Sequence, residues 1–169
     1  INLALKGSLL RSRNGRAHVI TSTVEHHATS HTLDYLSSFG VETTYVPVDR
    51  YGMVDPGEVR KALRSHTKLI SMIHANNEVG TIQPVEDIAT LAAEHDIPLH
   101  LDGVQALGKI PVDLSRLRCT LYSMSAHKIY GPKGVGAVFV RQGQRLDPLL
   151  HGGSQEGGQR AGTENIAGI

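Results

Sequence analysis

Short apolar runs, several of them β-branched, alternate along this chain with stretches whose apolar positions recur at helical spacing. Strands are predicted over 18–22, 42–46, 68–74, 98–102, 120–124 and 136–140. Between them the pattern predicts helices. One covers 1–13, and a second runs from Ser22 or Thr23 to about Phe39. A third starts at Asp55, with Pro56 at the first helical position and Glu58 at the third, and ends near Arg64. The fourth spans 84–95, where Val85, Ile88, Leu91 and Ala92 mark one apolar face. Strands that alternate with helices specify βαβ units, and hence an α/β fold around a mostly parallel sheet.

Open sheets of this kind bind ligands beyond the C-terminal ends of their strands. Three predicted strands end in polar residues: His74 to Asn77, His100 to Asp102, and Ser123 to Lys128. The segment SAHKIYGPKG, residues 125–134, places Lys128 after Ser125 and His127 and just ahead of a glycine-rich turn. An acid and a lysine at neighbouring strand ends are what a pyridoxal phosphate enzyme needs. The lysine forms a Schiff base with the cofactor, and the acid pairs with the pyridine nitrogen. On this reading Lys128 is the Schiff-base lysine, in a partly desolvated setting. Asp102 keeps the ring protonated. The bland alternatives are a surface lysine in a turn and an acid that caps the next helix. Ser125, His127 and Thr163 are candidate phosphate donors, although a serine at a turn is commonly turn chemistry alone. Gln105 is placed to reach the cofactor's phenolic oxygen, and a histidine at a helix start can stack on a flat ring.

Other features carry less. His27 and His31 are four apart, a spacing that can bind zinc on a helix, but no third ligand or HExxH accompanies them. They read as solvated helix surface. Gly103 to Lys109 matches GxxxxGK, the start of a phosphate-binding loop. That motif needs Ser or Thr next and a helix; here Ile110 and Pro111 follow. Cys119 reads as a small core residue.

Composition changes the picture little. With 40% hydrophobic and 20% charged residues the chain is ordinary for a globular protein. A net charge of +1 gives no bulk attraction to nucleic acid or an anionic membrane, and no apolar run is long enough to span one. A single cysteine excludes an internal disulfide and fits the reducing cytosol. Both ends read as cut, so a piece of a longer polypeptide is expected.

The motifs VEHHA, HANNEVGTIQPV, LHLDGVQALGKIPVDL, SMSAHKIYGPKGVGAVFV and RAGTENIAGI resemble the cysteine desulfurases of the NifS/IscS type, within the class V aminotransferases. The resemblance runs along nearly all 169 residues. It implies the large domain of a pyridoxal phosphate enzyme of fold type I, a three-layer sandwich with a mostly parallel sheet, covering 1–169 as a partial domain. It also implies a role for each matching residue. Lys128 carries the cofactor, Asp102 binds the ring nitrogen and Gln105 contacts the phenolic oxygen. His26 stacks on the ring and takes part in proton transfer, Asn77 lies near the cofactor oxygen and substrate, and Ser125 and His127 hold the phosphate. Thr163 matches a phosphate ligand given by the neighbouring subunit of a homodimer. The implied reaction converts L-cysteine to L-alanine, passing sulfur through an enzyme persulfide to an acceptor such as an iron–sulfur scaffold. Selenocysteine lyase, another class V enzyme and a non-catalytic cofactor-binding module are the alternatives. The family's catalytic cysteine lies beyond the RAGTEN segment, and Cys119 does not match it. The small C-terminal domain and the phosphate loop ahead of Ile1 are unmatched too, and Gly157 stands where an arginine is common. This stretch alone is therefore not expected to turn over cysteine.

Overall fold

The computed structural model describes residues 1–10 and 16–169. Its elements follow the order α1 (Asn2–Leu9), β1 (Ala17–Ser22), α2 (His27–Ser37), β2 (Val41–Val46), α3 (Pro56–Lys61), β3 (Thr67–Ile73), α4 (Val85–Glu94), β4 (Leu99–Asp102), β5 (Leu121–Ser125) and β6 (Gly136–Val140). The strands form one sheet in the order β2-β1-β3-β4-β5-β6. The first five run parallel, and β6 returns antiparallel to β5.

Alternation along the strands builds two apolar layers. Ile20, Ile70, Met72, Leu99 and Leu101 face one way and pack with Val59 of α3 and Ile88 and Leu91 of α4. Val19 and Leu69 face the other way, against Leu5 and Leu9 of α1 and Leu33 and Leu36 of α2. The result is the expected three-layer α/β sandwich. Because β2 and β3 flank β1 on opposite sides, the strand order reverses at the β1/β3 boundary. In doubly wound sheets such a reversal opens a crevice at the strand tips.

The strands agree with the apolar runs to within a residue or two. Helix ends differ more. The first helix, predicted to Arg13, ends at Leu9, and residues 11–13 lie outside the described residues. The Asp55 cap forms as expected, its Oδ1 accepting from the Gly57 N–H at 2.7 Å, but the helix stops at Lys61. Neither Ser22 nor Thr23 opens α2. The Ser22 hydroxyl donates to Glu25 Oε1 at 2.6 Å, so it is engaged elsewhere, and His26 becomes the N-cap. The Gly103 to Lys109 segment forms tight turns without a helix behind it, which removes the phosphate-loop geometry. Cys119 is buried as expected, and desolvation pushes its thiol pKa up. His27 and His31 stack on each other at the exposed surface of α2.

Candidate functional site

The tips of β3, β4 and β5, with His26 and Ala28 at the start of α2, surround a cavity of about 570 Å³, closed on one side by the first turn of α1. Lys128, Asp102, Gln105, His26, Asn77, Ser125 and His127 all line it.

Asp102 ends β4 on the face covered by α1 and is only 3% exposed. Its Oδ1 accepts from the Val104 N–H at 3.1 Å. Burial pushes its pKa up, and the Val104 hydrogen bond opposes that shift. The acid starts a turn rather than capping a helix. A carboxyl group in this position gains from any cation or N–H donor that enters the cavity. The backbone here demands a glycine: a Cβ on Gly103 would stand 1.9 Å from the ring of Tyr122.

The connection from β5 to β6 carries Lys128. Ser125 ends β5, and a 3-10 turn, Ala126–Lys128, follows. Backbone bonds from Ile129 N and Gly131 N to Ala126 O, each 2.9 Å, close the turn, and Ala126 N donates to Val135 O at 3.1 Å. Ser125 Oγ lies 2.7 Å from His127 Nδ1, so these groups act together. Lys128 itself is exposed at the rim. This departs from the partly desolvated setting predicted for it, because the 3-10 turn carries it past the end of β5, where none of the described residues covers it.

At the β3 tip the paired asparagines divide the work. Asn76 is buried: its Nδ2 donates to Val24 O at 2.9 Å and its Oδ1 accepts from Glu78 N and Val79 N, each at 2.9 Å. Asn76 thus shapes the loop and leaves Asn77 at the cavity wall. Opposite, His26 Nδ1 accepts from the Ala28 N–H at 3.0 Å. With Nδ1 occupied as an acceptor, the neutral ring carries its proton on Nε2. Gln105 lines the cavity while its Oε1 accepts from Lys109 Nζ. Thr163 is exposed and does not line the cavity. It sits in the irregular segment after β6.

Beneath the cavity lies a polar layer that the apolar pattern did not reveal. His100 is fully buried in β4, with Nδ1 2.8 Å from Ser71 Oγ of β3 and Nε2 2.8 Å from Ser123 Oγ of β5. Burial pushes its pKa down to about 3, so the ring stays neutral. Glu25 was missed as well. The available signal was polar residues inside apolar runs, since a buried polar side chain in a strand must have a partner.

A family model described as "Aminotransferase class-V" matches residues 1–169. The cysteine desulfurase IscS of Dictyoglomus turgidum is 53% identical over 168 residues, covering 99% of this chain and 43% of its own length. The mitochondrial cysteine desulfurase of Arabidopsis thaliana is 47% identical over 164 residues, 96% of this chain and 36% of its own length. Among solved structures, one titled "SspA in complex with cysteine" superposes with a TM-score of 0.96 at 42% identity, over 99% of this chain and 49% of that one. A "NIFS-LIKE PROTEIN" superposes with a TM-score of 0.95 at 44% identity, over 99% of this chain and 46% of that one. The chain spans about two fifths of the length of its curated bacterial relative. A cavity walled by an acid, a lysine and a helix-capping histidine at parallel strand tips, in a chain matched from end to end, places this protein in the class V aminotransferase family.

Proposed function

We propose that this chain is the cofactor-binding core of a pyridoxal phosphate-dependent cysteine desulfurase, acting on L-cysteine. The observation that carries the proposal is that Asp102 and Lys128, from neighbouring strand tips, line one cavity with His26. The donor set suits the cofactor. A buried acid with a single N–H donor on its Oδ1 meets a protonated ring nitrogen, and the Ser125–His127 pair meets a phosphate at the rim. When bound, pyridoxal phosphate supplies an electron sink for charge that develops at the substrate Cα.

The chain's own residues do the rest. Lys128 Nζ would hold the cofactor and would serve as the base for the substrate Cα proton. Gln105 and Asn77 would offer polar contacts to the cofactor's phenolic oxygen, and His26 would lie against its ring and move a proton at Nε2. Thr163 is exposed, which supports its reading as a donor to the phosphate site of a second copy in a homodimer. An iron–sulfur scaffold or another acceptor takes the sulfur, in the cytosol. None of the helices in the described residues is long and apolar enough to cross a membrane.

The test is a titration of the protein with pyridoxal phosphate. A visible absorbance band at about 400–430 nm is expected, lost in Lys128→Ala and weakened in Asp102→Ala. A wild-type protein that stays colourless at saturating cofactor overturns the proposal.

A further inference from the structure

We propose that Glu25 is a positioning residue of this site: its carboxyl group clamps the turn that carries His26 to the tip of β3, and so fixes the imidazole across the cavity from Asp102. What the imidazole then touches rests on the cofactor proposal; the clamp itself does not.

The β1/β3 boundary is where the strand order reverses, and there the ladder runs out early. Register pairing between these strands ends at Ile20 and Ile70. Side chains take over beyond that point. Thr21 Oγ donates to Ser71 O at 2.8 Å. Glu25 Oε1 then accepts from both the Ile73 N–H at 2.9 Å and the Ser22 hydroxyl at 2.6 Å. Ser22 and Ile73 are the last residues of β1 and β3. One carboxyl oxygen therefore joins two strand tips that lie beyond the last registered pair of the ladder. A second tie, from Asn76 Nδ2 to Val24 O at 2.9 Å, pins the same turn. The residue that follows Glu25 is His26, whose Nδ1 is itself held by Ala28 N.

The remaining oxygen explains the acid's form. Glu25 Oε2 is sealed from solvent and has no hydrogen-bond partner among the described residues. A carboxylate there would be uncompensated, and the nearby Asp102 disfavours it further. Burial first, with that like charge adding to it, raises the pKa of Glu25 to about 8, so the neutral acid is the form that serves. Glutamine reproduces the acceptor oxygen and the lack of charge. Alanine and aspartate do not reach the Ile73 N–H.

Glu25→Gln, Glu25→Asp and Glu25→Ala are compared in the wild-type and His26→Ala backgrounds, with far-UV circular dichroism to establish folding. Two quantities are read: pyridoxal phosphate affinity by absorbance, and the ring resonances of His26 by NMR without cofactor. Glu25→Gln is expected to stay within about twofold of wild type and to leave the His26 resonances in place. Glu25→Ala and Glu25→Asp are expected to weaken binding about tenfold and to shift those resonances. In the His26→Ala background the further loss is expected to fall below about twofold, since positions in one network are not additive. Additive losses overturn the proposal, as does a folded Glu25→Asp or Glu25→Ala protein with wild-type His26 resonances. If wild type binds no cofactor, the proposed function fails while the resonances still decide the clamp.

Discussion

Replacing Glu25 with glutamine is expected to stabilise the chain in a strongly pH-dependent way. The acid sits at an ordinary value of 4.5 in the unfolded chain and about 8 in the folded one. Below pH 4.5 both states hold the proton, and the group has no pH-dependent effect. Between 4.5 and 8 the unfolded chain ionises while the folded chain keeps its proton, so stability falls as pH rises. The slope from this one group is about 1.4 kcal/mol per pH unit, levelling off above pH 8. Across the window the loss is on the order of 4–5 kcal/mol, a large share of a typical domain's stability. Glutamine cannot ionise. Urea denaturation of both proteins at half-unit steps from pH 4.5 to 9 measures the difference. Its growth with pH isolates this carboxyl from every other titrating group, because the two chains share the rest. A constant difference between the proteins across that range would refute the reasoning and mean that the folded chain carries Glu25 as a carboxylate.

His100→Ala leaves the Ser71 and Ser123 hydroxyls unpartnered in a sealed layer and opens a void, so urea denaturation at neutral pH is expected to show a loss of about 3–5 kcal/mol. In the wild-type chain the His100 ring stays neutral, and NMR is expected to show no titration of its C–H resonances from pH 5 to 8. The stability it contributes is complete above pH 6.5 and is lost as pH falls toward about 3. Gly103→Ala drives a methyl group into the ring of Tyr122, which is fully buried with its hydroxyl 2.9 Å from His74 Nδ1. Thermal melting is expected to register about 3 kcal/mol or more of destabilisation, and an unchanged melting temperature would contradict the packing described.

The sequence by itself determined the elements whose causes are local. The β-branched run ending at Ser22 makes a strand wherever it is placed, and Asp55 followed by Pro56 starts a helix through bonds to its own neighbours. The apolar rows of β3, β4 and β5 told which residues are buried, and their polar ends placed Asn77, Asp102 and Lys128 at strand tips. That much needs only propensity, periodicity and the rule that such sheets bind at their C-terminal edge. Which strand lies beside which was decided by the tertiary structure alone. So was everything that follows from it: the reversal at β1/β3, the antiparallel return of β6, and the alignment of Ser71, His100 and Ser123 into one hydrogen-bonded row. The choice of His26 over Ser22 as the cap of α2 has the same origin, since Glu25 engages Ser22 only because the tip of β3 stands next to it. A side chain's partners and its loss of water come from residues tens of positions away. The pattern of neighbours along the chain therefore marks where a polar group must be satisfied, and only the packed sheet supplies the group that satisfies it.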